Sequence, residues 1–398
     1  MSERRGPLTS LRILELAGKG PAPFCAMILS DLGAEVLKIE RVPLPEKGPF
    51  YSPATDVMNR GRASAGIDLK TAGGVETLLR MVESADALIE GYRPGVMERL
   101  GVGPDVCLER NPRLVYGRMT GWGQSGPYAE RAGHDINYIG ANGVLSLVGR
   151  AGDAPVPPLN LIGDFGGGGM LLAVGVLAGV VEARVSGRGQ IVDAAMIDGA
   201  ALLSTVVHGL RASGFWQTAR GTNLLDTGAP FYDVYETADG LYMSVGSLET
   251  PFYRRLLETL GLGDEPVFQE QMDRERWPEM RRRLAEVFGT KTRDEWTAAF
   301  EGVDACVGPV LDVDEAAADP HNRERGVFME IAGISQPGPA PRFSATPGAI
   351  TRPPASPGAD TRSALASWGF DAAEIDSLIE RGSLVEGARL QPVGSGAA

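Results

Sequence analysis

The beginning of the chain alternates between strand and helix patterns at a spacing that few folds accommodate. Residues 11–16 (LRILEL) are predicted as a strand, residues 21–32 as a helix that ends at Gly33, and residues 35–39 (EVLKI) as a second strand. A strand, a helix and another strand at this spacing form a βαβ unit, in which the two strands are parallel. The N-terminal pattern therefore predicts an α/β fold with a doubly wound parallel sheet.

The alternating pattern continues through the first half of the chain and then changes. A helix is predicted at 74–83, strands at 87–89 and 114–118, and two long apolar helices at 167–184 and 193–213. After these, two short strands flank Thr-Ala-Asp-Gly, which is a hairpin signal, and short amphipathic helices follow. This change indicates a second, smaller domain.

Composition excludes several classes of function. The chain has 398 residues and a formal net charge of −13, which disfavours non-specific nucleic-acid binding. Its three cysteines are widely spaced, which argues against a disulfide framework or a cysteine-based zinc site and favours a reducing, cytoplasmic location. The start, MSERRGPLTS, lacks the apolar core of a signal peptide. The longest apolar run, residues 166–181, is glycine-rich and short for a bilayer, so we expect a buried helix rather than a membrane span.

Each of the three histidines can be weighed separately. His208 lies in an apolar helical stretch and His321 in a charged segment, so structural roles are expected for both. His134 lies in GWGQSGPYAERAGHDINY, a segment dense in glycine and polar residues that suits the presentation of a side chain over a scaffold. Composition alone supports a functional and a structural role for His134 equally.

Asp164 lies in NLIGDFGGGGM, directly before a glycine run and a predicted helix. A helix N-cap and a functional carboxylate are both open and are compatible, because a helix N-terminus favours negative charge. The glycines would let a ligand approach the backbone closely. The loop GKGPAP after the first strand lacks the third glycine of the dinucleotide-binding motif, which disfavours an NAD-dependent oxidoreductase.

Several segments match one family in order and spacing: LRILELAG, LSDLGAEVLKIER, GIDLK, EGYRPGVMERLGVGP, RMTGWGQSGP, AGHDINY, PPLNLIGDFGGGG, GRGQIVDAAMIDG, GAPFYDVYETADG, VGSLETPFY and PAPRFS. With these motifs, residues 8–345 resemble the family III CoA-transferase (CaiB/BaiF) superfamily, and within it the branch of α-methylacyl-CoA racemases. Lys19, Phe24 and Cys25 depart from the usual first loop, which leaves the shape of the pocket there open.

The resemblance implies an interlocked homodimer in which each chain threads through its partner. Each chain has a Rossmann-like large domain built from both chain ends and a smaller α+β domain, and the active site lies between the large domain of one subunit and the small domain of the other. In this sequence the implied boundaries are 1–213 and 326–385 for the large domain and 221–325 for the small one, followed by a flexible tail at 386–398.

The resemblance also places site residues on this sequence. The histidine of the GHD motif falls on His134, the aspartate of GDFGGG on Asp164 and the glutamate of VGxxE on Glu249, while the backbone N–H of Asp135 is the implied donor to the thioester oxygen. The implied contacts for CoA are Arg41, Leu69, Lys70, Arg93, Arg99, Met119, Gly123 and Tyr138. Met170, Met196 and Met243 are candidates for lining the acyl pocket, although an ordinary core role is favoured for each.

The activity implied is that of an isomerase in lipid metabolism that interconverts (R)- and (S)-2-methylacyl-CoA thioesters. Proton removal from one face of the α-carbon and delivery to the other needs two acid/base groups, here His134 and Asp164, and neither a metal nor a cofactor. CoA is part of the substrate and is not counted as a cofactor. Glu249 would orient His134. The alternative is a family III CoA-transferase in which Asp164 attacks the thioester to form an acyl anhydride. The segment VGSLETPF lacks the glycine-rich loop typical of transferases and favours the racemase.

Overall fold

The computed structural model describes residues 4–41 and 52–387. Apart from its first two residues, the predicted tail at 386–398 lies outside the described residues. The contacts between residues divide the chain into two compact units, each with its own core. Unit 1 comprises Met1–Asn142, Leu159–Leu203 and Pro320–Ala398, and unit 2 comprises Gly143–Pro158 and Ser204–Asp319.

Unit 1 contains a doubly wound sheet, and its elements follow the chain in βαβ order. Its strands are β1 (Arg12–Leu16), β2 (Glu35–Glu40), β3 (Ala63–Ile67), β4 (Ala87–Glu90), β5 (Val115–Thr120) and β6 (Gln190–Ala195). Its helices in this part are α1 (Pro21–Asp31), α2 (Ala72–Val82), α3 (Val96–Arg99), α4 (Pro104–Arg110), α5 (Asp135–Ala141), α6 (Leu171–Ser186) and α7 (Met196–Leu203). A π-helix, Leu161–Met170, runs directly into α6.

Unit 2 is smaller, and in the sequence the following helices and strands come after Leu203 and before Pro320. Its elements are α8 (Thr205–Ala212), β7 (Tyr232–Glu236), β8 (Tyr242–Gly246), α9 (Thr250–Leu260), α10 (Trp277–Phe288), α11 (Arg293–Ala299), β9 (Val307–Pro309) and α12 (Val313–Ala318). The chain then returns to unit 1 through α13 (Pro320–Arg325), β10 (Phe328–Ile331), β11 (Ile334–Pro337), α14 (Thr361–Ser367), α15 (Ala372–Glu380) and β12 (Leu384–Val385).

The seven-stranded sheet of unit 1 has the order β12-β3-β2-β1-β4-β5-β6. All pairs are parallel except that of β12 with β3. Successive strand residues alternate between two apolar clusters, so that Ile13 belongs to one cluster and Leu14 to the other. The strand order reverses between β1 and β4, which makes their carboxyl ends the topological switch point. The predicted fold class, an α/β fold with a Rossmann-like large domain and a smaller α+β domain, is confirmed.

Unit 2 is built on a three-stranded antiparallel sheet in the order β7-β8-β9. Buried and exposed residues alternate along β7, as expected when one face packs on a core. That core is rich in aromatic rings, among which Phe231 makes edge contacts with Tyr253 at 5.5 Å and Trp277 at 5.8 Å between centroids. The hairpin predicted around Thr-Ala-Asp-Gly is the β7-β8 pair.

The unit boundaries differ from those implied by the resemblance. The implied small domain was 221–325, whereas unit 2 begins at Ser204, gains the segment Gly143–Pro158 and ends at Asp319. Ion pairing accounts for part of the difference, because Arg150 forms a 2.8 Å salt bridge with Asp233, whose side chain is only 2 % exposed. A buried carboxylate that pairs with this segment holds it on the core of unit 2.

One predicted element needs correction, and one strand was missed. Residues 193–213 were expected to form one helix, but Gln190–Ala195 is strand β6, which pairs in parallel with β5, and the helical part is divided into α7 and α8. The helical appearance of this segment came from the apolar run in α7, which hid the short strand before it. Strand β3 was not predicted, because ASAGI is composed largely of small residues with weak strand preference.

The apolar segment around the glycine run belongs to unit 1 and is partly buried there. By length and composition, Leu161–Ser186 is long and apolar enough to cross a membrane, and 44 % of its most apolar window is buried. Its glycines pack closely: an ideal Cβ on Gly199 of α7 would lie 1.8 Å from the carbonyl oxygen of Gly167, and one on Gly169 would lie 2.6 Å from that of Pro21. The π-helix is therefore held between α1 and α7 by backbone contact.

Candidate active site

A cavity of about 520 Å³ lies at the topological switch point of unit 1. Its wall includes the residues that follow β1, β4 and β5, together with the start of α5 and the π-helix. Ligands of doubly wound folds bind in this position, because the loops on the two sides of the switch point diverge and leave a crevice. His134 and Asp164 both line the cavity, so the structure brings together the two predicted acid/base residues.

His134 is the N-cap residue of α5, and its side chain is exposed to the cavity. Its backbone N–H donates a 3.0 Å hydrogen bond to Oδ1 of Asn137. The residue before it, Gly133, has no room for a side chain, since a Cβ would lie 2.7 Å from the ring of Tyr138. The local sequence thus fixes the backbone at His134 and leaves its imidazole at the surface of the cavity.

Asp164 is the fourth residue of the π-helix and is half-buried. It is therefore inside the helix rather than at its N-cap, the structural role that the sequence had left open. Nδ2 of Asn160 donates a 2.9 Å hydrogen bond to its Oδ2. Gly20 permits close packing there, because a Cβ on this residue would lie 3.3 Å from the same oxygen. A short π-helical stretch is frequently found at a functional site.

Burial raises the pKa of the Asp164 carboxyl above its ordinary value, and the charge of Asp135 adds to that effect. The hydrogen bond from Asn160 and the proximity of His134 act in the opposite direction and lower the pKa. A raised pKa brings a carboxylate closer to the range in which it can both accept and donate a proton.

Asp135, the residue after His134, is buried, with 3 % of its surface exposed. Its Oδ2 accepts hydrogen bonds from the backbone N–H groups of Gly163 at 2.6 Å and Asp164 at 2.7 Å. Its own N–H belongs to the first residue of α5 and therefore has no acceptor within that helix. Asp135 itself is not among the residues that line the cavity, and the role predicted for its N–H, donation to an oxygen of a ligand, stays a prediction.

The predicted CoA contacts lie at or after the ends of several strands and on α3 and α5, but only some line the cavity. Arg93, Met119 and Tyr138 do so together with His134 and Asp164. The others lie after β2, after β3, in α3 and after β5, outside the lining: Arg41, Leu69, Lys70, Arg99 and Gly123. Of the methionines considered, Met196 lines the cavity, Met170 is exposed and Met243 belongs to the core of unit 2.

Three basic residues line the cavity: Lys19, Arg93 and Arg131. All three are exposed, and none forms a salt bridge with any residue in the ranges 4–41 and 52–387. Unpaired cations on one concave surface of an acidic chain attract an anionic ligand.

Glu249 is exposed at the N-cap of α9 in unit 2, directly after β8. His208 on α8 and His321 on α13 do not line the cavity. His208 was expected to be a partly buried helix residue, but it is exposed on α8, which has no buried residue. Among the residues that the structure describes, no cluster of three or more His, Cys, Asp or Glu side chains is arranged to hold a metal ion.

Sequence reasoning missed several residues of the site, among them Asn160, Arg131 and Trp122. Asn160 contacts Asp164, and Arg131 and Trp122 line the cavity. Asn160 precedes Asp164 by four residues, which is the spacing of neighbours on a helical face, so its contact was accessible from the helix prediction had the helix been started earlier. No sequence pattern distinguishes Arg131 from other surface arginines.

A doubly wound sheet with an imidazole, a carboxylate and cations around the crevice at its switch point defines an acid/base enzyme for an anionic substrate. The chain belongs to the CoA-transferase family III, whose family model matches residues 8–361. It is 46 % identical to the α-methylacyl-CoA racemase of Mus musculus over 85 % of this chain and 87 % of that protein. It is 43 % identical to the racemase of Homo sapiens over the same shares of the two chains.

The fold is also similar to that of solved structures. A CaiB/BaiF family protein from Brucella suis superposes with a TM-score of 0.79 over 92 % of this chain and 100 % of that one, at 24 % sequence identity. At this identity the likeness bears on the fold, and it agrees with the doubly wound sheet and the smaller antiparallel unit described above.

Proposed function

We propose that the protein is a racemase that inverts the α-carbon of 2-methylacyl-CoA thioesters by moving a proton between His134 and Asp164. The observation that carries the proposal is that these two side chains line one cavity. No hydrogen bond joins the two in the described structure, and the substrate carbon would lie in the cavity that both of them line. The identity of 46 % to a racemase supports the same reaction.

The mechanism requires each group to act as acid or base according to the handedness of the substrate. One group removes the α-proton while the other protonates the opposite face of the resulting enolate. The N–H of Asp135 would stabilise the negative charge that develops on the thioester oxygen. Since two protein side chains suffice for proton transfer, the proposed reaction uses no cofactor.

Anion binding supplies the remaining part of the proposal. The phosphates of CoA would rest on the cations that follow the strand ends, with Arg93 in the cavity and Arg41, Lys70 and Arg99 farther along the same edge. Binding energy from this remote part of the substrate serves to position the reacting carbon.

Assembly is the second part of the proposal. We propose that the protein acts in the cytoplasm as an interlocked homodimer, in which Glu249 of one copy orients His134 of the other. Exposed apolar side chains on α6 support an association, because Val174, Val181 and Val185 are 60, 65 and 83 % exposed. Light scattering of the purified protein tests this, and a monomer at working concentration would contradict it.

The decisive experiment follows the α-proton. One enantiomer of a 2-methylacyl-CoA is incubated with the protein in deuterated water, and deuterium uptake and loss of optical purity are measured together. His134→Ala and Asp164→Ala are expected to abolish exchange while retaining fold and acyl-CoA binding. Near-normal exchange in either variant would show the assignment to be wrong.

The transferase remains the alternative because Asp164 is also suited to attack a thioester. That reaction forms a mixed anhydride between Asp164 and the acyl group and releases CoA as a thiolate. Incubation with an acyl-CoA and a free carboxylic acid distinguishes the two reactions. Movement of CoA to the acid without deuterium uptake would reverse the choice.

A further inference from the structure

The side-chain carboxylate of Asp135 is buried, and the expected role of this residue, donation from its backbone N–H, does not explain why. Only 3 % of the residue is exposed, and within the described parts of the chain no cation forms a salt bridge with it. Oδ1 is buried and has no hydrogen-bond partner among the described atoms. Burial of an acidic group is costly unless nearby groups compensate for it, so its retention here indicates a role for the side chain.

Compensation comes from backbone N–H groups at the start of the π-helix. In a π-helix each N–H bonds the carbonyl five residues earlier, so the first N–H groups have no partner within the helix. Oδ2 of Asp135 accepts two of them, from Gly163 at 2.6 Å and Asp164 at 2.7 Å. Such short distances are typical of hydrogen bonds to a charged acceptor.

Gly163 is matched to this contact. A Cβ at this position would lie 2.6 Å from Oδ2 of Asp135 and 2.9 Å from its Cγ, so any side chain would displace the carboxylate. The glycine therefore permits the close approach that brings the carboxylate within reach of two successive N–H groups.

We infer that the carboxylate of Asp135 is a positioning residue that sets the place of Asp164 relative to His134. Its main chain is continuous with His134, and its side chain holds the backbone nitrogen of Asp164 at 2.7 Å. One residue thus links the two segments that carry the proposed acid/base pair, without a contact between their side chains. The inference rests on the proposed reaction at these two residues.

The charge of Asp135 gives the linkage an electrostatic consequence. The groups that influence the pKa of Asp164 are Asn160 at the N-cap of its own helix and His134 and Asp135 at the start of α5, and Tyr138 on α5 is near enough to interact electrostatically with Asp164. Of these, the carboxylate of Asp135 raises the pKa of Asp164, and loss of its charge would let that pKa fall. Positioning and charge can therefore be separated by the choice of substitution.

The experiment compares Asp135→Ala, Asp135→Asn and Gly163→Ala in the full-length protein. Asp135→Ala removes the acceptor, and we expect kcat for α-proton exchange to fall about 100-fold or more with KM within about threefold, because a displacement near 1 Å carries such a cost. Gly163→Ala is expected to act in the same way, since it displaces the carboxylate without changing it. Asp135→Asn keeps an acceptor oxygen, so kcat is expected to recover to within about tenfold of wild type.

The pH profile provides a readout that a purely structural role would not move. In Asp135→Asn the acidic limb of kcat/KM is expected at lower pH than in wild type, because the neighbouring negative charge is gone. Hydrogen exchange of the segment 161–170 provides a readout independent of activity. Protection of its N–H groups is expected to fall in Asp135→Ala, while that of α6 stays unchanged.

Asp371→Ala is the matched control, because Asp371 accepts a 2.8 Å hydrogen bond from the N–H of Glu374 at the start of α15, away from the cavity. It removes a capping carboxylate and should leave kcat unchanged. Wild-type kcat in Asp135→Ala, equal loss in Asp135→Asn, or an unmoved acidic limb would each overturn the inference. Failure of the proposed function is distinguishable, because wild type itself would then take up no deuterium.

Discussion

The contact between Gly167 and Gly199 makes the position of Asp164 sensitive to a single methyl group. A Cβ on Gly199 would lie 1.8 Å from the carbonyl oxygen of Gly167, three residues after Asp164. Since a carbon and a carbonyl oxygen rarely approach closer than about 3.3 Å, Gly199→Ala forces the π-helix and α7 apart by about 1.5 Å. Overpacking of this kind costs about 1–3 kcal/mol.

The displacement should lower the rate of the reaction as well as the stability of the protein. A shift of about 1 Å in a reacting group lowers the rate about 100-fold, so we expect kcat for α-proton exchange to fall by that order in Gly199→Ala. Thermal unfolding and deuterium uptake are measured on the same preparation. The signature is a loss of stability together with a loss of kcat, with the affinity for CoA retained.

Gly209→Ala is the matched control for this substitution. Gly209 also lies in a helix, α8, but beyond its own helix a Cβ there would meet no atom of the described residues within 4 Å. Replacement of a helical glycine by alanine at an open position stabilises a protein by about 0.4–1 kcal/mol. If Gly199→Ala matched Gly209→Ala in both stability and kcat, the reasoning from backbone contact would be refuted.

Three other predictions concern charge. Burial raises the pKa of Glu90 to about 7, so the folded protein holds this proton more tightly than the unfolded chain does. The free energy of unfolding should therefore fall as pH rises from about 4.5 to 7. Chemical denaturation across this range should show that the free energy of unfolding depends less on pH in Glu90→Gln than in wild type. Arg93→Ala should raise KM for the acyl-CoA about tenfold and leave kcat nearly unchanged in steady-state assays, because it removes binding shared by ground state and transition state. Asn160→Ala should move the acidic limb of the exchange rate to higher pH, because its hydrogen bond lowers the pKa of Asp164; an unmoved limb in the pH profile would contradict this.

The first βαβ unit was predictable almost to the residue. Two strands of five and six residues flank a helix that starts at Pro21 and ends just before Gly33. The hydrophobic periodicity and the signals for the helix ends therefore indicate the same elements. The π-helix was not predictable, because LIGDFGGGGM has no apolar period and its geometry depends on backbone contacts with α1 and α7. Strand β6 was missed for a related reason, since its pairing with β5 is decided by tertiary structure.

The candidate active site was also predictable only in part. His134 and Asp164 were named from motifs, and the structure places both in one cavity, although their roles in catalysis stay predictions. The carboxylate of Asp135 was not recognised, because the GHD motif shows only that it follows the histidine. Its contact with Gly163 joins residues 28 positions apart, and no local pattern reports such a pairing.

The backbone anchoring of the π-helix has a consequence for how this protein could change its substrate. The place of Asp164 depends on main-chain contacts of glycines and on Asp135, whereas the cavity wall is completed by side chains from the loops after β1, β4 and β5. Single substitutions in those loops, at positions other than His134 and Gly20, can reshape the cavity and leave the place of Asp164 unchanged. The residues that shape the cavity are thus separate from those that place Asp164. In directed evolution toward new acyl chains, substitutions that improve activity should occur at positions such as Lys19 and Trp122, and almost none should occur within the glycine run.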